Sequence, residues 1–207
     1  MIAGTFNGLN IVALPSSNFT QIELSMNDKV VATPGAFSQA AQTLDWQIDW
    51  WSGKLSLPPM VRADAQKWIA FLAECRGMSA CFLVGDSQGD TPTGHASGVP
   101  VTSGVNPSRG TILNTRGWKP SQFKQLVAGD YFQIVNRLYM TLEDVNSDGA
   151  GNATINCWPR LRESPPDGTK IILHKAQGLF RLAANARNYS LSNNRTYSID
   201  IDITECL

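Results

Sequence analysis

Ser87 sits in Gly85-Asp86-Ser87-Gln88-Gly89, the GxSxG spacing that lifts a serine hydroxyl onto a strained turn between a strand and a helix. A strand is expected before it, at 80–84. A helix after it is not, because Gly89-Asp90-Thr91-Pro92-Thr93-Gly94 is built of turn formers. The two histidines, His95 and His174, both follow Ser87. Only the order serine, acid, histidine then remains, with His174 as base and Asp130 or Asp144 as acid. A polar turn leaving a strand accounts for the same residues, so a serine hydrolase using Ser87 stands as an alternative and no more.

Asp144-Val145-Asn146-Ser147-Asp148-Gly149 opens like a calcium loop, with oxygen ligands at alternate positions before a glycine turn. The bidentate acid that should follow is missing, since Ile155 stands in its place. A hairpin loop over 146–152 is the expected structure. The histidines lie far from each other and from any cysteine cluster, so no zinc set forms. Neither a glycine-lysine phosphate loop nor a dinucleotide fingerprint is present. No residue is assigned a catalytic, cofactor-binding or metal-ligating role, and the chain is not expected to be an enzyme.

Aromatic chemistry is the remaining candidate. Trp46 and Trp50 share the apolar side of an alternating strand and Trp68 lies on a helical stripe, so all three are expected in the core. Trp51 and Trp118 are left as the exposed contacts, of the kind a carbohydrate-binding module would use.

These groups depend on elements of mostly one kind. A helix is expected at 64–76, where Ala65, Trp68, Ile69, Leu72 and Cys75 recur at three and four and Gly77 supplies the stop. Elsewhere the pattern alternates. Leu44, Trp46, Ile48 and Trp50 oppose Asp45, Gln47 and Asp49, and Tyr197, Ile199, Ile201 and Ile203 oppose Ser198, Asp200, Asp202 and Thr204. Shorter strands are expected near 22–24, 54–57, 80–84, 111–115, 131–135, 137–144, 153–158 and 170–174. Residues 85–110 are rich in glycine and proline and read as a long irregular connection. Short strands separated by turns then suit a small five-stranded barrel or meander.

Composition narrows the class. Lys plus Arg is 17 and Asp plus Glu is 17 in 207 residues, so the net charge is zero. A chain dedicated to gripping phosphates or anionic membranes would be basic, so neither nucleic acid nor membrane is an expected partner. No apolar run is long enough to span a bilayer, and Met1-Ile2-Ala3-Gly4-Thr5-Phe6 does not read as a secretory signal. Cys75, Cys81, Cys157 and Cys206 are scattered without a CxxC pair and are expected to be reduced, in a chain made in a reducing cytosol.

The order of several short motifs resembles one family. Leu44-Asp45-Trp46-Gln47-Ile48-Asp49-Trp50-Trp51 precedes Leu55-Ser56-Leu57-Pro58-Pro59-Met60, then Asp64-Ala65, Trp68, Phe71-Leu72 and Gly77. Gly129-Asp130-Tyr131-Phe132, Trp158-Pro159-Arg160-Leu161-Arg162 and the closing Tyr197-Ser198-Ile199-Asp200-Ile201-Asp202-Ile203 follow. This succession is similar to the distal tail proteins among the minor tail proteins of long-tailed bacteriophages. The resemblance implies a mainly β fold, with a β-sandwich belt carrying one helix and an inserted small β-barrel of OB-like size. The boundaries are 1–105 for the first part of the belt, 106–177 for the barrel and 178–207 for the final belt strands. It further implies a structural protein of the virion tail tip or baseplate, made in the host cytoplasm. Its partners would be itself in a hexameric ring, the tail tube protein, the hub or tip protein and the tape measure protein. In such a ring Asp45 and Asp49, or Asp200 and Asp202, are expected to face the central opening, where acidic walls would let DNA slide.

Overall fold

Apolar residues that alternate with polar ones along most of the chain can bury one face only in a sheet, and sheets dominate the result. In the computed structural model, which describes residues 2–16, 18–34 and 40–207, strands hold 46% of the residues and helices 8%. The fold is mainly β, with a single α-helix among the described residues. In chain order the first strands are β1 (Ile2–Phe6), β2 (Leu9–Val12), β3 (Gln21–Pro34) and β4 (Ala41–Ser56). Helix α1 (Arg62–Glu74) follows, then β5 (Ala80–Val84), β6 (Gly98–Thr102), β7 (Ile112–Trp118), β8 (Tyr131–Ile134) and β9 (Arg137–Thr141). The last are β10 (Asn152–Trp158), β11 (Ile171–Ile172), β12 (Gly178–Leu182), β13 (Ser190–Leu191), β14 (Tyr197–Ser198) and β15 (Asp200–Glu205). Among the described residues no helix is long and apolar enough to cross a membrane.

The chain divides into two compact units. One holds Met1–Ser25, Trp51–Asp86 and Gln177–Leu207, and the other holds Met26–Trp50 and Ser87–Ala176. The expected boundary at 105/106 therefore falls inside the second unit, because β6 is one of its barrel strands. Gly98 and Pro100 hide that strand in the sequence.

The first unit is built on a seven-stranded sheet in the order β1-β2-β5-β12-β15-β4-β3. Strands β2 and β5 run parallel; β5, β12, β15 and β4 are successively antiparallel. Helix α1 starts soon after Pro58-Pro59, two residues before the expected start, and its last turn closes on Cys75. Arg76 (φ 48°) and Gly77 (φ 71°) then take left-handed backbone. A side chain at Gly77 would stand 2.5 Å from Asn185 Oδ1, the atom that accepts the Met78 N–H at 3.2 Å. The buried stripe is Ala65, Trp68, Phe71, Leu72 and Cys75, with Ile69 half-buried. Phe71 meets Trp68 at 5.6 Å and Phe82 of β5 at 5.3 Å, both edge-on, so the helix lies on the sheet through aromatic contacts.

In the second unit the order β11-β8-β9-β10-β7-β6 curls back on itself. Val101 bridges Lys170, and the Thr102 N–H donates to the Thr169 carbonyl at 2.9 Å, so β6 returns to the start of β11. The barrel is nearly closed and has six strands where five were expected. Leu113, Phe132, Tyr139, Ile155, Leu161 and Ile171 fill its core. Trp118 joins them because its indole N–H finds an acceptor inside, Thr115 Oγ1 at 2.7 Å.

One cysteine pair departs from expectation. Cys81 and Cys206 form a disulfide, with Cα atoms 6.4 Å apart and a sequence separation of 125. Cys81 pairs with Arg181 of β12, and the Cys206 N–H donates to Leu179 of the same strand, so β12 brings the two sulfurs together. Cys75 and Cys157 are free and buried, as expected.

Candidate functional site: a displayed ribbon on the barrel unit

The two acids of the hydrolase alternative are engaged by backbone. Asp130 is buried, and its carboxylate accepts the N–H groups of Thr93 (2.7 Å), Gly94 (3.0 Å) and Val127 (2.8 Å). It ties the connection after β5 to the turn before β8. Asp144 accepts the Ala128 N–H at 3.1 Å and lies 3.5 Å from Lys124 Nζ. Ser87, His95 and His174 are exposed, and among the described residues no hydrogen bond joins Ser87 to either histidine. The segment after Ser87 forms bends and no helix.

The calcium-like loop also spends its oxygens on the chain. Asn146 Oδ1 accepts the Lys124 N–H, and Asp148 accepts the N–H groups of Ala150 and Asn152, each at 2.8 Å. Bonds from Asn152 hold the Asp148 carboxyl below the usual carboxylate range. The loop joins antiparallel β9 and β10, as expected of a hairpin, but it is longer than 146–152 because β9 ends at Thr141. Thr141 pairs with Cys157, and the connection between them runs beside 119–128, where Leu126 bridges Val145. Among the described residues no group of three or more His, Cys, Asp or Glu is placed to hold a metal ion.

Trp68 is in the core as expected and Trp50 is half-buried, but three other tryptophans depart from expectation. Trp51 and Trp118, expected as exposed contacts, are buried at 2% and 3% exposure, so no sugar platform can be built on them. Trp46, expected in the core, is 52% exposed. The cause is the phase of β4. Trp51, Leu55 and Leu57 are buried, which puts the odd positions inward, whereas the sequence reading placed even positions there. The doublet Trp50-Trp51 fits either phase, and Leu55 and Leu57 decide it.

Toward its outer end β4 changes character. Leu44, Trp46 and Ile48 are 56%, 52% and 40% exposed, and Lys29 of β3 lies 5.7 Å above the Trp46 ring. The odd residues point the other way, onto the chain that leaves β10. Arg160 Nη1 meets Asp49 Oδ1 at 2.5 Å and Nη2 meets Asp45 Oδ2 at 2.6 Å, while the Arg160 N–H donates to Asp49 Oδ2 at 2.9 Å. The Trp158 indole N–H adds a bond to Asp28 Oδ1 of β3 at 3.0 Å. Strand residues four apart are normally separated by about 13 Å. Gln47 takes a left-handed φ of 56° between the two aspartates, and its N–H donates to Asp45 Oδ1 at 2.7 Å, so the strand kinks there. That bond, and then Arg160, hold the Asp45 carboxyl below the usual range.

The expected acidic walls therefore differ in kind. Asp49 is only 2% exposed, and both it and Asp45 are bonded to the single guanidinium of Arg160, so this pair does not form the free acidic wall expected. Asp200 and Asp202 remain exposed on β15, with Lys54 opposite Asp202 and 3.6 Å from Asp200. The sequence assigns no site role to Asp28, and Arg160 enters it only within the motif that carries the resemblance. The one available signal was the polar-apolar alternation of 44–49, read in the wrong phase.

No protein-family model matches the chain, and no curated protein matches it.

Proposed function

We propose that this chain is a structural subunit of a phage tail tip, forming a ring, sixfold as the resemblance implies, that joins the tail tube to the hub or tip proteins. The observation that carries this reading is the outer ribbon of β3 and β4. Leu44, Trp46 and Ile48 lie together on one strand and face solvent, and contiguous exposed apolar surface on a water-soluble fold marks a contact to be covered. The occupant is a second copy of the chain. Strands β1 and β3 are the two ends of one sheet, and an open strand at each end lets copies join head to tail, which closes when the rotation between copies divides a circle. Contacts to tube, hub and tape measure proteins are expectations from the resemblance alone. In such a ring Asp200 and Asp202 are the acidic pair left to face the opening.

Native mass spectrometry and reconstruction of the assembled tail test this. The expected results are an oligomer that Trp46→Asp disperses without unfolding the chain, and six copies per tail with Asp200 and Asp202 on the bore. A strictly monomeric chain with one copy per tail overturns the ring. Six copies with that pair on the outer wall would overturn the bore assignment and leave the ring standing.

A further inference from the structure

The outer ribbon is amphipathic with its sides reversed. Asp28, Asp45 and Asp49 turn toward the 158–160 segment, and Leu44, Trp46 and Ile48 turn to water. Burial of apolar surface by itself favours the opposite pose. Something specific must hold the ribbon against that tendency, and the polar bonds at Arg160 are strong and directional enough to do so. We infer that Arg160 is an orientation lock: by gathering Asp45 and Asp49 onto one guanidinium it fixes the polar side of the ribbon inward and keeps the apolar side displayed.

Three features fit a lock better than a casual surface pair. Arg160 binds with both terminal nitrogens and its own backbone N–H, so side chain and main chain agree on one register. Asp49 is buried, and a buried carboxylate stripped of its cation is penalised far more than an exposed one. The Gln47 kink serves the lock directly, because a straight strand would carry one aspartate out of reach. Lysine could not replace the arginine, since a single ammonium lacks the planar fork that spans two carboxylates. The inference concerns the isolated chain and does not depend on what covers the displayed side.

The test uses the full chain in its native, monomeric form at low concentration. Hydrogen exchange reads the ribbon amides at 41–50, and iodide quenching, taken as the difference from the same variant carrying Trp46→Phe, reads the exposure of Trp46. In the double variant Asp45→Asn/Asp49→Asn, and separately in Arg160→Lys, the barrel amides keep their protection. Exchange over 41–50 rises by about tenfold or more. Quenching of Trp46 falls, because the released ribbon turns its apolar side onto the protein. Unchanged exchange overturns the lock. Faster exchange with Trp46 as accessible as before also overturns it, since Arg160 would then fasten the ribbon without setting its side. If the double variant does not fold, Arg160→Lys alone decides. A chain that never assembles yet shows these changes would sink the ring reading and keep the lock.

Discussion

The backbone N–H of Trp51 donates to the carboxylate of Glu205, 3.2 Å away and 154 residues along the chain, and both residues are buried. This bond joins β4 to β15 where the odd positions of β4 have turned inward, and it marks the side on which the tryptophan's packing is spent.

The tryptophans should consequently separate by energy. Trp51→Ala, Trp68→Ala and Trp118→Ala each empty a buried site and should cost about 3–5 kcal/mol in denaturant unfolding. Trp46→Ala touches mainly solvent and Lys29 and should stay within about 0.5 kcal/mol of the parent. A large loss at position 46 with little at position 51 would show that the phase of β4 is the other one.

Asp130 and Ser87 give a second contrast. Removing the Asp130 carboxylate leaves three backbone N–H groups without their acceptor, and Asp130→Ala should cost about 2–4 kcal/mol. Ser87 is exposed, so Ser87→Ala should change stability by less than about 0.5 kcal/mol. An esterase activity abolished by Ser87→Ala would revive the hydrolase alternative and contradict the structural reading of Asp130.

Acid should act on the barrel's loops first. Arg116, in a two-point contact at 2.7 and 2.9 Å, and the Gly104 N–H hold the Asp167 carboxyl below its usual range, and Asp148 is lowered by its own turn. A lowered carboxyl stabilises the fold above its unfolded value near 3.8, and that contribution disappears as pH falls through the still lower folded value. Melting temperature should be insensitive to these groups between pH 7 and about 5 and drop below about 4, where the unfolded carboxylates begin to bind protons. Asp167→Asn should flatten the drop. An identical acid limb in that variant would remove Asp167 from the account.

Thiol chemistry has the opposite sign. Burial pushes the Cys75 thiol up to about 11 and the Cys157 thiol up to about 12. Both favour the folded chain fully below the unfolded value near 9, and the advantage is lost as pH rises through 11 and 12. Alkylation at pH 8 should find no reactive thiol in the native chain, two after denaturation, and four after denaturation with a reductant. Four thiols without reductant would show that Cys81 and Cys206 are unpaired in the isolated protein.

The sequence alone settled what is local. Ala65, Trp68, Leu72 and Cys75 repeat at helical spacing, and Arg76-Gly77 ends the run, so α1 was legible to within two residues. Ile201 and Ile203 alternate with Asp200 and Asp202, so β15 was legible too, and so was the mainly β class with a small barrel. What required the tertiary structure was every choice between equal local options. Trp50 and Trp51 offer two phases of one strand, and only packing with the rest of the sheet rejects one. Cys81 and Cys206 are 125 residues apart, and only their common neighbour β12 makes them a pair. Asp45 and Asp49 alternate like solvated residues, yet a guanidinium more than a hundred positions away bonds both and buries Asp49, while Trp46 faces water. Periodicity reports that a strand has two sides. It carries no information about which side the remainder of the chain will cover, because that depends on contacts between residues distant in sequence.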